Sequence, residues 1–130
     1  MPKAGDQFIS TLKKTHLGWG THRYTNSRPA IKNEGYIPIP SRYAKGFYIT
    51  NLHETRQSNI YKFSTSDGYL IDKELKASGN TKKGDKFAKN LHGNNDLKLL
   101  GSWFNHIGAK IGDKIKVEFK SSNEILLTKI

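Results

Sequence analysis

Gly18-Trp19-Gly20-Thr21-His22-Arg23-Tyr24-Thr25-Asn26-Ser27-Arg28, followed by Glu34-Gly35-Tyr36-Ile37-Pro38-Ile39-Pro40-Ser41-Arg42-Tyr43-Ala44-Lys45-Gly46-Phe47, is the stretch that organises the chain. In the second half, Ile37 and Ile39 alternate onto one face of a short strand. Pro38 has no N–H to give a ladder, which makes this an edge strand or a strand end. Pro40 and Ser41 then open a helix, with Ser41 as the expected N-cap. Tyr43, Ala44 and Phe47 form its buried side, Arg42 and Lys45 point outward, and Gly46 or the residue after it ends the helix. The first half is different. Thr21 to Arg28 has no apolar face beyond Tyr24, and its side chains are the types that pair with base edges. A solvated loop is the bland reading, and a segment lying against a polar partner is the functional one.

Reading outward, residues 5–15 allow a short helix with Phe8, Leu12 and Ile9 on one face, or an ordered arm. Gly18 and Gly20 bend the backbone around Trp19, which reads as core or rim packing. Residues 51–59 form a polar loop. Residues 59–64 alternate as a strand, Asp67-Gly68 signals a hairpin, and residues 69–77 return as the partner strand. Residues 78–84 are a second turn, and residues 86–91 lean to strand. Leu97, Leu100, Phe104 and Ile107 keep helical spacing, with Asp96 as N-cap and Gly108 as C-cap. Ile111-Gly112-Asp113 turns the chain into a strand with Ile115, Val117 and Phe119 inward, and residues 124–130 close as another strand. Six or seven short strands with two or three short helices and no linker or repeat predict one mainly β domain, a barrel or sandwich, over residues 1–130.

Composition bounds the function. The 130 residues are 35% hydrophobic and 25% charged, with mean hydropathy −0.69, room for a modest core and no apolar run long enough for a membrane. Met1-Pro2-Lys3-Ala4-Gly5-Asp6 has no apolar signal core, so a cytoplasmic protein is expected. The absence of cysteine excludes disulfides, thiolate zinc sites and cysteine nucleophiles. Net charge is +11, which attracts polyanions. Residues 1–50 carry eight Lys and Arg against two acids, and among the arginines only Arg56 lies beyond them. Arginine suits bidentate contact with phosphate or guanine.

Two segments resemble a known family. GYIPIPSRYAKGF, residues 35–47, resembles the strand–proline–helix near the start of the B3 DNA-binding pseudobarrel. LGSWFNHIGAKIGDKIKVEF, residues 100–119, resembles the same family's helix, Gly-Asp turn (Gly112-Asp113) and hydrophobic strand, in the family's order. The Gly-Asp-Lys before an alternating strand is also similar to swapped-hairpin transition-state regulators and double-psi barrels. The B3-like family comprises plant transcription-factor domains and DNA-recognition domains of bacterial restriction endonucleases. The chain looks closer to the second group, which implies a bacterial, restriction-modification setting and a nuclease or methylase partner.

The resemblance implies an open seven-stranded pseudobarrel that binds double-stranded DNA with two arms in the major groove. The first arm maps onto Thr21 to Arg28 and the second onto Phe63 to Tyr69. Arg23 and Arg28 are then candidates for guanine, Asn26 for adenine, and Thr21, His22, Tyr24, Thr25 and Ser27 for edges or water bridges. Ser64, Thr65, Ser66 and Asp67 form the second contact, with Asp67 accepting from a cytosine amino group. Lys3, Lys13, Lys14, Lys32, Arg42 and Lys45 are candidates for phosphate. No catalytic residue, metal ligand or cofactor is expected in this reading. The rival enzyme reading is a Mg²⁺-dependent nuclease using Glu74-x-Lys76, with Glu54 or Asp67 as second acid; Glu118-x-Lys120 repeats the pattern on an expected solvent face. The five histidines lack ligand spacing.

Overall fold

A computed structural model describes residues 1–13, 17–19, 32–80 and 82–130, with the backbone only for residues 17–19 and 32–34. In chain order the elements are β1 (Gln7–Thr11), β2 (Leu17–Trp19), β3 (Lys32–Gly35), β4 (Ile37–Pro38), α1 (Ser41–Phe47), β5 (Ile60–Thr65), β6 (Lys73–Ser78), β7 (Asn90–Gly93), α2 (Leu99–Ile107), β8 (Lys114–Ser121) and β9 (Glu124–Lys129). Seven strands form one sheet in the order β1-β8-β9-β5-β6-β7-β4, while β2 and β3 pair separately. Every neighbour in the large sheet is antiparallel except β5 and β9, where Phe63 lies beside Ile125 in parallel register.

The sheet curls until its two outer strands meet. The Ser10 hydroxyl on β1 donates to the Pro38 carbonyl on β4 at 2.6 Å. Pro38 therefore sits on an edge strand, as its missing N–H requires. The result is a nearly closed, mainly β pseudobarrel with two helices. Alternate residues fill the interior: Phe8 and Ser10 from β1, Tyr61 and Phe63 from β5, Leu75 and Ala77 from β6, Ile115, Val117 and Phe119 from β8, Ile125 and Leu127 from β9. One core group lacks a partner among the described residues. The Tyr61 hydroxyl is buried without a hydrogen bond, and burial pushes its pKa up to about 12.

The two ends of the barrel differ. At one end lie Thr11 beside Lys114, the end of β5 at Thr65, the start of β6, and α2. We call this the α2 end. At the other lie Gln7 beside Glu118, Lys62 beside Glu124, and α1, whose Tyr43 ring stacks on Phe8 at 5.5 Å. Two glycines let backbone approach α2. An ideal Cβ on Gly35 would stand 2.4 Å from the Gly101 nitrogen, inside the helix, and one on Gly93 would stand 2.1 Å from the Asp96 carbonyl oxygen.

Several sequence expectations shift. Residues 7–11 are strand rather than helix. Phe8, Ser10 and Leu12 all face inward, and the serine in the middle hides the period of two. Pro40 rather than Ser41 is the N-cap of α1, without a side-chain cap, and Tyr48 ends the helix in the left-handed region. Lys98 rather than Asp96 is the N-cap of α2; Asp96 accepts from the Lys98 N–H at 3.2 Å instead. The return strand starts at Lys73, not residue 69, because Leu70 folds back onto Thr65. The strand expected over 86–91 begins at Asn90, preceded by a single bridge between Thr50 and Phe87.

Three substitutions separate these features. Gly35→Ala should cost at least about 2 kcal/mol, since the methyl meets helix backbone that has no side-chain freedom to yield. Gly46→Ala in exposed α1, where an added Cβ meets nothing within 4 Å, should instead gain about 0.5–1 kcal/mol. Tyr61→Phe should be neutral or stabilising by up to about 1 kcal/mol, because it removes a desolvated hydroxyl. Urea unfolding at pH 7 reads all three; equal stabilities for the two alanine variants would refute the close approach.

Candidate nucleic-acid interface

The α2 end gathers the elements on which the sequence places its arms. β2 and β3 pair antiparallel, Leu17 opposite Gly35 and Gly18 opposite Glu34, with a register shift at Gly18/Trp19. This two-stranded stem rests on α2 through Gly35, whose N–H donates to the Leu97 carbonyl at 3.0 Å. The stem joins to residues 20–31 of the chain. Thr21, His22, Arg23, Tyr24, Thr25, Asn26, Ser27 and Arg28 lie outside the described residues, as does Lys14, and so does the side chain of Lys32.

Residues 66–72 form a loop that α2 also holds. The Thr65 N–H donates to the Leu70 carbonyl at 2.9 Å, and the Leu70 N–H returns to the Thr65 hydroxyl at 3.0 Å. Asp67 Oδ1 accepts from the Thr65 hydroxyl at 2.6 Å and the Tyr69 N–H at 3.0 Å. Its Oδ2 accepts from the buried Trp103 indole N–H at 2.9 Å. These donors, the Thr65 hydroxyl first and the Tyr69 N–H next, hold the Asp67 carboxyl below its usual value.

That geometry corrects one of the expected contacts and gives another a structural role. Thr65 is buried with its hydroxyl bonded inside the loop, so it does not face a duplex. Asp67 is exposed and uses both oxygens to build the turn and to anchor it on Trp103, a structural role the sequence did not signal. Ser66 remains exposed, and the Ser64 hydroxyl accepts from the Asp72 N–H at 3.1 Å. The groups that do stand out from this loop are Tyr69 and Ile71. Read as members of a returning strand, they carry no sequence signal of this position.

The phosphate candidates divide between the ends. Lys13 is exposed just past β1, at the α2 end. Arg42 and Lys45 are exposed on α1, at the opposite end, where the Arg42 guanidinium lies 4.8 Å from the Tyr43 ring centre. Lys3 is exposed near that same end, ahead of β1. The structure therefore does not gather these cations into one patch.

Arg56 has a different task. It forks onto the buried Glu54 carboxylate, Nε to Oε1 at 2.9 Å and Nη2 to Oε2 at 2.9 Å. The Tyr48 hydroxyl also donates to Glu54, and accepts from Arg56 at 3.1 Å and from Lys86 Nζ at 3.0 Å. Hydrogen bonds from Arg56 first, then Tyr48, hold the Glu54 carboxyl far below the usual carboxylate range. A carboxylate so engaged is not the second acid of a metal site. Glu74 is exposed and accepts from the Asn94 amide at 3.0 Å. Among the described residues, no three His, Asp or Glu side chains are grouped to hold a metal ion, and no helix is long and apolar enough to cross a membrane.

No protein-family model matches the chain, and no curated protein matches it.

The Asp67 anchor has a pH signature. A carboxyl whose pKa is lowered by folding binds fewer protons folded than unfolded, so its stabilisation is present above the unfolded value near 3.8 and is lost as pH falls through the folded value. Asp67→Asn should lower Tm at pH 7, and the gap from wild type should narrow below about pH 4. Thermal melts across pH 3–7 check this; a gap independent of pH would rule out the charged anchor.

Proposed function

We propose that this protein binds double-stranded DNA in a sequence-specific manner, as a B3-like pseudobarrel of the kind found in bacterial restriction-modification systems. The observation that carries the reading is the β2–β3 stem rooted on α2. Its strands run directly into the cationic, donor-rich residues 20–31, at one end of a small barrel of the expected class. The net charge of +11 supports a polyanionic partner. In the family whose motifs residues 35–47 and 100–119 resemble, the segment before the Ile-Pro strand enters the major groove.

In this reading Arg23 and Arg28 pair with guanine O6 and N7, and Asn26 with adenine N6 and N7. Thr21, His22, Tyr24, Thr25 and Ser27 complete the reading surface, directly or through water. Lys13, with Lys14 and Lys32, neutralises phosphates near the stem. Arg42, Lys45 and Lys3 meet only a duplex that runs along the barrel toward α1. A nuclease or methylase acting beside the protein would supply the chemistry.

Fluorescence anisotropy on a panel of duplexes tests this. Arg23→Ala and Arg28→Ala should each cost about 1–3 kcal/mol of discrimination at the base they read. Lys13→Ala should weaken every sequence alike and reduce the salt slope by about one. Uniform loss from all three changes would refute direct readout, and no binding to any duplex would refute the proposal.

A further inference from the structure

The 66–72 loop spends many hydrogen bonds on holding an aromatic ring in the open. Tyr69 is 44% exposed and Ile71 60% exposed, while Leu70 between them is buried. The Tyr69 backbone is fixed on both sides, by its own N–H on Asp67 and by the paired bonds between Leu70 and Thr65. Its ring lies 4.0 Å from the His106 imidazole, the two planes 13° apart. One face of Tyr69 is therefore backed by a flat, polarisable ring from α2, and the exposed area belongs to the other face and the edge.

The position of the ring narrows what it meets. The β2–β3 stem and the 66–72 loop are both seated on α2, the first through Gly35 against Gly101, the second through Trp103 and His106. One short helix thus sets the spacing between the β2–β3 stem and the stacked pair. Lys73, exposed at the start of β6, follows the loop directly. A partly exposed flat ring backed by a second ring, with an exposed aliphatic neighbour, matches the face of a nucleobase.

We infer that Tyr69, backed by His106, is a stacking platform for an unstacked nucleobase of the bound DNA. This rests on the DNA-binding reading above and adds a second contact to it, made where the site carries an unpaired base. A fully paired site charges the protein for unstacking that base, whereas a site with one unpaired nucleotide does not.

The test compares a fully paired duplex with the same duplex carrying a one-nucleotide bulge of 2-aminopurine, at several positions along the sequence. Wild type should prefer the bulged duplex at one register by about tenfold and quench its fluorescence on binding. Tyr69→Ala should keep the affinity for paired duplex and lose both the preference and the quenching; Tyr69→Trp should keep them. Melting curves confirm that Tyr69→Ala is folded. Arg28→Ala should flatten sequence preference while the quenching survives. If wild type binds paired duplex but shows no bulge preference or quenching at any register, the platform is refuted and the DNA reading stands. Equal effects of Tyr69→Ala on both duplexes also refute it. If wild type binds neither duplex, the DNA reading falls as well.

Discussion

The contact between Gly35 and Gly101 is the constraint on which the rest of this structure turns. A strand backbone and a helix backbone meet there with no side chain between them. Such an approach is open only to glycine, and it fixes the stem relative to α2 more tightly than interdigitating side chains would. Gly93, at the end of β7, leaves room for the Asp96 carbonyl in the tight turn that leads into α2. With the helix fixed, Leu100, Trp103 and Phe104 plug the end of the barrel. The same helix then carries the stem on one side and the 66–72 loop on the other.

The second theme is how charge is distributed. The chain is strongly cationic, yet its buried acid is fully engaged: Glu54 takes the Arg56 fork and the Tyr48 hydroxyl. This knot also ties Lys86, and thereby the loop before β7, to the end of α1. Other acids sit among lysines on the outward face of the barrel, as Glu118 does between Lys116 and Lys120. Pairs this exposed contribute little to stability.

Much of this fold was legible in the residues, and the exceptions have physical causes. β8 and α2 are clear because their apolar residues keep a period of two and a helical spacing over a full element. β1 is not, because its central inward residue is Ser10, which is admitted to the interior only by its bond to Pro38 across the barrel seam. No local pattern encodes a partner that distant. The Asp67-Gly68 signal correctly marks a turn, but a longer one than a two-residue hairpin, since the Thr65 side chain closes it by bonding Leu70. Of the candidate site, Arg42 and Lys45 were read correctly as exposed helix positions. Their separation from Lys13 was not legible, because it depends on strand order. Trp103 as the partner of Asp67 was equally hidden, being a contact between a loop and a helix far apart in sequence.

The parallel pairing of β5 with β9 has a consequence for how the chain is made. β9 is inserted between β8 and β5, so Lys62 finds its neighbour only when Glu124 is present. On the ribosome, β5, β6, β7 and β4 form at most a partial sheet with one unsatisfied border until that strand emerges. Closure then demands a long-range search, of the sort that makes barrels slow to fold. During that interval the Phe63 border is exposed, and the nascent chain is at its most vulnerable to sticking to its neighbours.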